Sequence, residues 1–251
     1  MKYFVITGAS KGLGEGIATE LIHENHHLIC VSRTESARLK LLARAKGCGY
    51  TYTSFDLGYA HEVPQLLSTI FEHIPLDNVQ GIYLINNAGI VQPVDRVELC
   101  SPDQVEHHMN INLLAPMLLC SGFIKHTNDW PVQKRILNIS SGAAKNPYWG
   151  WSSYCTSKAG IDMLSKCVAL EQMANEYPVE IMAVAPGIID TAMQEVIRNT
   201  TETQFPLRSR FVELKEAGNL TDPQIAGKKL AALLLSDRFQ SGEIVDLRDS
   251  Y

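Results

Sequence analysis

Tyr154 and Lys158 are a pair whose residue types and spacing could do acid–base chemistry. Four residues apart on a helical pattern, they share one helix face. A phenol ordinarily loses its proton near pH 10, and a nearby ammonium that stabilises the phenolate makes it a better-matched acid at neutral pH. A Tyr-x-x-x-Lys pair alone is usually a surface contact, so its weight depends on what accompanies it. Near the start, Thr7-Gly8-Ala9-Ser10-Lys11-Gly12-Leu13-Gly14 leads from an apolar run into a helical pattern, with spacing G-x-x-x-G-x-G. Glycines permit a tight turn and close backbone approach to a pyrophosphate, and the helix amino end adds unpaired N–H groups and a positive dipole. Gly8, Ser10, Lys11, Gly12, Leu13 and Gly14 are therefore candidate dinucleotide contacts.

The next strand-like run decides which dinucleotide to expect. An acid about 20 residues beyond the loop would hold the ribose 2′-hydroxyl of NAD, but here the run ends in Ser32-Arg33-Thr34. Arg33, with Lys11, instead suits a 2′-phosphate, which calls for positive charge and fork-like donors. NADP(H) is the expected cofactor.

These residues need elements to place them. Short apolar runs alternate with longer amphipathic ones, the rhythm of a parallel sheet with helices on both faces. Strands are expected at Tyr3 to Thr7, Leu28 to Ser32, Tyr50 to Phe55, Gly81 to Ile85, Arg135 to Ile139, Glu180 to Val184 and Glu243 to Asp246. Helices are expected at Gly12 to Asn25, Ser36 to Lys46, His61 to His73, Pro102 to His126, Ser152 to Glu176 and Pro223 to Leu235. Residues 187–221 break the rhythm with only short helical patterns and read as a substrate lid. Such sheets place ligands at the carboxyl ends of the strands.

Composition narrows the classes. With 251 residues, 45% hydrophobic and 20% charged, the chain fits one globular α/β domain spanning 1–251. Its 22 basic and 27 acidic residues give a net charge of −5 with no basic block, arguing against nucleic-acid binding. No apolar stretch reaches the roughly 20 residues of a membrane helix, and no signal peptide is read at the start, so a cytoplasmic location is expected. Cys30, Cys48, Cys100, Cys120, Cys155 and Cys167 are spread without a C-x-x-C pair and read as free thiols. The histidines, including His23, His26, His27, His107 and His108, form no metal-spaced set and read as surface residues.

Three further stretches join the glycine loop and the Tyr/Lys pair: Asn86-Asn87-Ala88-Gly89, Asn138-Ile139-Ser140-Ser141 and Tyr154-Cys155-Thr156-Ser157-Lys158. Together they make essentially the whole chain resemble the short-chain dehydrogenase/reductase family. The resemblance implies a single-domain, Rossmann-like, doubly wound parallel sheet of about seven strands and nicotinamide-dependent carbonyl/alcohol chemistry. It implies that Tyr154 is the acid, that Lys158 also holds the nicotinamide ribose, and that Ser141, 13 residues before the tyrosine, binds the substrate oxygen. Asn112 matches the family's helix asparagine that supports a relay water. Asp56 and Leu57 resemble adenine contacts, although a helix cap is another reading of Asp56. Asn87, Ala88 and Gly89 resemble the adenosine-side wall, and Pro186, Gly187, Ile189, Thr191 and Met193 belong to a segment resembling the carboxamide site. Association as a homodimer or homotetramer through the helices carrying Asn112 and Tyr154 is also implied.

Within the family, the carboxyl end and the Asn146-to-Trp151 run look like the sepiapterin reductase and bacterial benzil reductase branch. That likeness implies a small carbonyl substrate on a flat ring system, an aromatic or heteroaromatic 1,2-diketone first and a pterin side-chain ketone second. A 3-oxoacyl thioester is disfavoured because the lid lacks a basic patch. A silent NADP(H)-binding sensor is the reading of a different class. Tyr148, Trp149, Trp151, Met193 and Phe205 could wall a flat ring. Asp246 aligns with the branch's pterin-anchoring acid, whose carboxylate can accept two N–H bonds.

Overall fold

Every strand-like run forms a strand: β1 (Lys2–Thr7), β2 (His26–Ser32), β3 (Gly49–Ser54), β4 (Gly81–Asn86), β5 (Gln133–Ile139), β6 (Glu180–Ala185) and β7 (Ile244–Asp246). In the computed structural model, which describes residues 1–249, they make one parallel sheet in the order β3-β2-β1-β4-β5-β6-β7. The chain winds outward from β1 to β3, then returns to β4 beside β1 and winds the other way. That reversal opens a crevice at the carboxyl ends of β1 and β4.

The helices are α1 (Gly12–Glu20), α2 (Ala37–Ala45), α3 (Val63–Glu72), α4 (Pro102–Met109), α5 (Ala115–Thr127), α6 (Ser152–Gln172), α7 (Ala192–Arg198), α8 (Arg208–Glu216) and α9 (Pro223–Leu235). The period-2 pleat divides β1 between two cores. Phe4 and Ile6 pack in one cluster with Leu13 and Ile17 of α1 and Leu230 of α9. Tyr3 and Val5 pack in the other with Leu67 of α3, Phe123 of α5 and Val168 of α6. Each such buried side chain is worth roughly 1.5–3 kcal/mol. A Cβ on Gly16 would strike the Pro223 carbonyl, and one on Gly227 would strike the Gly16 backbone. This close crossing of α1 and α9 anchors the helix that carries the glycine loop.

Three helices depart from the expected spans. α1 ends at Glu20 rather than Asn25, because the chain must turn to start β2 at His26, in register with Lys2. The His26 ring meets the Leu21 carbonyl at that turn, Nδ1 to O at 2.8 Å. α6 stops at Gln172, whose Oε1 accepts from the Val179 N–H at 3.0 Å as the chain heads into β6. The long helix expected from Pro102 to His126 is split by a π-helical turn at Asn110–Leu114. Pro116 has no N–H to offer the Asn112 carbonyl, so the regular ladder cannot continue there and the turn widens.

Residues 187–221 carry α7 and α8. Their base is closed by Asp190 N–H to Thr221 O at 2.9 Å and Thr221 N–H to Ile188 O at 3.0 Å. Ile197, Phe205 and Phe211 from this segment pack with Trp151 and Tyr154 in a third apolar cluster.

Candidate active site

One cleft of about 940 Å³ runs along the carboxyl ends of the strands. At one end lies the glycine loop, where Gly8 and Gly12 have φ of +67° and +59°. A Cβ on Gly14 would strike the Gly8 carbonyl and the Asn87 amide. Asn87 closes the loop from β4, its Nδ2 donating to the Thr7 carbonyl at 3.0 Å, while the Asn87 and Ala88 N–H groups donate to Thr7 Oγ1 at 3.0 and 3.1 Å. No side chain caps the amino end of α1. Gly8, Ser10, Lys11, Gly12, Leu13 and Gly14 line the cleft, so positive φ, missing Cβ atoms and an uncapped helix start fit a pyrophosphate.

Arg33, Asp56 and Leu57 line the same end, with Asn87, Ala88 and Gly89 beside them. Arg33 is an exposed cation whose Nη1 stands 4.0 Å from Asp56 Oδ2. Asp56 Oδ1 accepts the Gly58 N–H at 2.9 Å, a local turn bond.

At the other end the structure brings Ser141, Tyr154 and Lys158 together. Ser141 follows β5, and Ser140 N–H bonds Val184 O at 2.8 Å, extending the sheet to the catalytic candidates. α6 buries Tyr154 and Lys158 on one face. Lys158 Nζ donates to the Ile139 carbonyl at 2.8 Å and stands 5.8 Å from the Tyr154 ring centroid. Burial lowers the Lys158 ammonium from the ordinary 10.5 to about 8, against the pull of Asp162 in the opposite direction. The phenol does not follow the sequence expectation. Burial raises the Tyr154 pKa, and the opposing influence is a hydrogen bond with Ser141 rather than the charge on Lys158. The reason is the order of titration: burial lowers the Lys158 ammonium to about 8, so its charge is gone before a phenol raised above 10 gives up its proton. Asp162 accepts from Ser140 Oγ at 2.5 Å, and burial raises its carboxyl.

Asn112 sits in the π turn and is buried. Its Oδ1 accepts the Ile90 N–H at 2.9 Å, and its Nδ2 donates to the Ile90 carbonyl at 2.7 Å. The same Nδ2 lies 3.0 Å from His108 Nε2. His108 corrects the reading of the histidines as surface residues, since it is completely buried, with Nδ1 2.6 Å from the Gln92 carbonyl and Nε2 3.1 Å from Ser157 Oγ. Burial lowers its pKa, so the neutral ring accepts from Asn112 while donating to Gln92. Position i−4 on the helix carrying Asn112 was the available signal.

Pro186, Gly187, Ile189, Thr191 and Met193 line the middle of the cleft, and Tyr148 and Trp151 form an aromatic wall near Tyr154. The Trp151 and Tyr154 ring centroids are 5.3 Å apart. Three expected substrate contacts, two wall residues and the anchoring acid, lie outside the lining. Trp149 is 57% exposed and outside the lining, because Gly150, at φ +80°, turns the chain so that Trp151 enters instead. Phe205 stacks behind Trp151 at 4.6 Å, supporting the wall without forming it. Asp246 is also absent from the lining. It accepts from Arg248 Nε at 2.9 Å, Nη2 at 2.6 Å and the Arg248 N–H at 3.0 Å, bonds that hold its carboxyl below the ordinary range. Arg248 itself lines the cleft and was missed in the sequence. The available signal was Asp246 two residues before it, since an Asp that accepts the N–H two residues on folds the chain into a turn, here bringing Arg248 back onto its carboxylate.

The six cysteines are all free. Among the described residues no helix is long and apolar enough to cross a membrane, and no group of three or more His, Cys, Asp or Glu is placed to hold a metal.

A family model described as short chain dehydrogenase matches residues 2–202. Benzil reductase ((S)-benzoin forming) of Bacillus cereus is 46% identical over 245 residues, covering 98% of this chain and 98% of that protein. Sepiapterin reductase of Meriones unguiculatus is 35% identical over 256 residues, covering 98% and 96%. Among solved structures, the KRED1-Pglu enzyme superposes with a TM-score of 0.81 at 26% identity, covering 98% of this chain and 100% of that one.

Proposed function

The chain belongs to the short-chain dehydrogenase family and is a carbonyl reductase using a nicotinamide cofactor, and from that premise we propose that NADPH is its reductant and that its substrates are aromatic or heteroaromatic 1,2-diketones. One observation carries the reading: the uncapped glycine-loop end of α1 and Arg33 share a cleft with Ser141, Tyr154, Lys158 and the Trp151 wall. Arg33 and Lys11 would hold the 2′-phosphate. The 46% identity to a benzil reductase supports the diketone.

Bound at this site, reduced nicotinamide supplies a hydride to the carbonyl carbon. The chain's own task is the oxygen. The Tyr154 phenol is protonated at neutral pH, as a phenol ordinarily is and as burial reinforces, so it has a proton to give when negative charge develops on the substrate. Ser141, already bonded to that phenol, donates to the same oxygen. The Lys158 ammonium then stabilises the phenolate left behind, and its short bond to Ile139 keeps it from swinging away. Asn112, fixed on both polar groups of Ile90, has a backbone carbonyl that Pro116 cannot satisfy. That carbonyl would hold the water through which Tyr154 is reprotonated. Residues 187–221 act as a lid in this reading, their apolar side chains closing over Trp151.

The 35% identity to a sepiapterin reductase favours a pterin ketone as the second reading. A pterin's amino groups need an acceptor, and three donors of Arg248 already occupy Asp246, which places diketones first. We further propose a cytoplasmic homo-oligomer, dimer or tetramer, associating through α5 and α6, where Met117, Met163 and Leu170 are exposed, with Met173 exposed just past the end of α6. The test is loss of the NADPH absorbance band on adding benzil. Wild type should consume NADPH, and Tyr154→Phe should lose about 10²–10⁴-fold in kcat while still binding NADPH. No consumption with any aromatic diketone, with NADPH bound, overturns the reading.

A further inference from the structure

We propose that Arg248 determines substrate specificity by donating a hydrogen bond to the second carbonyl oxygen of a vicinal diketone; this rests on the diketone reading above. Arg248 follows β7 and reaches back over the ends of the two preceding strands. Its Cδ and Cγ lie 3.4 and 3.5 Å from where a Cβ on Gly187 would stand, and its Nη2 lies 4.0 Å from the corresponding point on Gly142. Gly142 follows Ser141 directly, so the guanidinium is next to the residue that binds the reacting oxygen. These are ordinary van der Waals distances, so the arginine side chain lies packed along both strand ends.

The orientation of the guanidinium selects the ligand chemistry. Nε and Nη2 grip the two carboxylate oxygens of Asp246 side-on, at 2.9 and 2.6 Å, and Asp246 is itself largely buried. The fork is therefore held at its inner edge, and the Nη1 amino group takes no part in that pair. Arg248 lines the cleft whereas Asp246 does not, so this wall presents donors. The pair is also already charge-balanced. A neutral acceptor such as a ketone oxygen gains a charge-assisted bond there, while a carboxylate finds no uncompensated cation and the amino groups of a pterin find no acceptor. In a 1,2-diketone the second oxygen sits on the carbon next to the reacting one, within reach of a group adjoining Ser141.

The experiment compares benzil with deoxybenzoin, which keeps both rings and one ketone but has a methylene in place of the second carbonyl. kcat/KM is measured with NADPH for wild type, Arg248→Met and Arg248→Lys. For benzil, Arg248→Met should lose about 10- to 100-fold, as expected for a bond to a charged donor, while deoxybenzoin changes less than about 3-fold. Arg248→Lys, which keeps the charge without the planar fork, should fall between. Asp246→Asn, which loosens the fork, should weaken benzil selectively as well. Equal losses on the two ketones, or an unchanged benzil rate in Arg248→Met, overturn the proposal. If wild type reduces neither ketone, the diketone reading itself falls; if wild type reduces benzil and the variants match it, only the role of Arg248 falls.

Discussion

Replacing Lys158 by Met should make the protein more stable at pH 7 while removing its turnover. Lys158 is 6% exposed, and burial lowers its ammonium from 10.5 to about 8. At about 1.4 kcal/mol per pKa unit, keeping the charge in the folded state costs roughly 3 kcal/mol. Below pH 8 the lysine is charged in both folded and unfolded chains, so the full cost is present. Between pH 8 and 10.5 the unfolded chain holds the proton that the folded one has released, so stability rises with pH and the cost fades. Methionine fills a similar volume without charge, but forfeits the bond to the Ile139 carbonyl, about 1 kcal/mol. The net expectation is about 2 kcal/mol of added stability at pH 7, or about 4–8 °C in Tm for a chain of this size. By pH 10 the two proteins should agree within about 1 kcal/mol. Urea unfolding of both at matched protein concentration, at pH 7 and pH 10, is the assay. Titrating groups that do not feel the Lys158 charge cancel in the difference, and Asp162 and His108, which do, are common to both pH values compared. A Met variant less stable than wild type at pH 7, or an advantage of the same size at pH 10, would refute the reasoning.

Exchanging Arg33 for Asp should lower the NADPH-to-NADH ratio of kcat/KM by about 10- to 100-fold, the worth of one charge-assisted contact plus the new repulsion; an unchanged ratio would put the 2′-phosphate elsewhere. Gly14→Ala should cost at least about 2 kcal/mol in chemical denaturation and abolish NADPH binding by fluorescence titration, because its Cβ strikes the Gly8 carbonyl and Asn87 together. His108→Leu should leave the Asn112 amide short of an acceptor and lower kcat with little change in KM, whereas Asn112→Ala in the same background should add little further loss.

What could be read from the sequence was whatever a helix or strand period converts into position. Tyr154 and Lys158 are neighbours because 3.6 residues make a turn, and the glycine loop leads into α1 because an apolar run precedes it and a helical pattern follows. The seven strands follow equally from their apolar runs. Where the reading failed, backbone geometry intervened. Pro116 opens the π turn around Asn112 in what reads as one unbroken helix. Gly150 reverses the chain between two tryptophans of identical character, sending Trp151 inward and Trp149 out. Asp246 reads as an available carboxylate because nothing in its own residue type shows that the arginine two residues on engages both its oxygens. The rise in the Tyr154 pKa is not legible for a similar reason, since spacing shows that an ammonium is near but not that burial raises the phenol and lowers that ammonium to about 8.

The burial of Lys158 also bears on whether this fold merely binds a dinucleotide. Pyrophosphate recognition needs the glycine loop and the open end of α1, which lie at the far end of the cleft from α6. Nothing in that task requires an ammonium in the protein interior beside a phenol whose charged form burial also disfavours. Both groups sit where water cannot share their charge, an arrangement that is unfavourable at rest and becomes useful only as a proton leaves Tyr154. At that moment the low-dielectric surroundings that penalise the isolated ammonium strengthen its attraction to the phenolate. A silent binder would gain stability from Lys158→Met and lose only the ribose contact that the family resemblance implies, having no turnover to lose. In a reductase the same substitution separates stability from turnover, improving one as it removes the other.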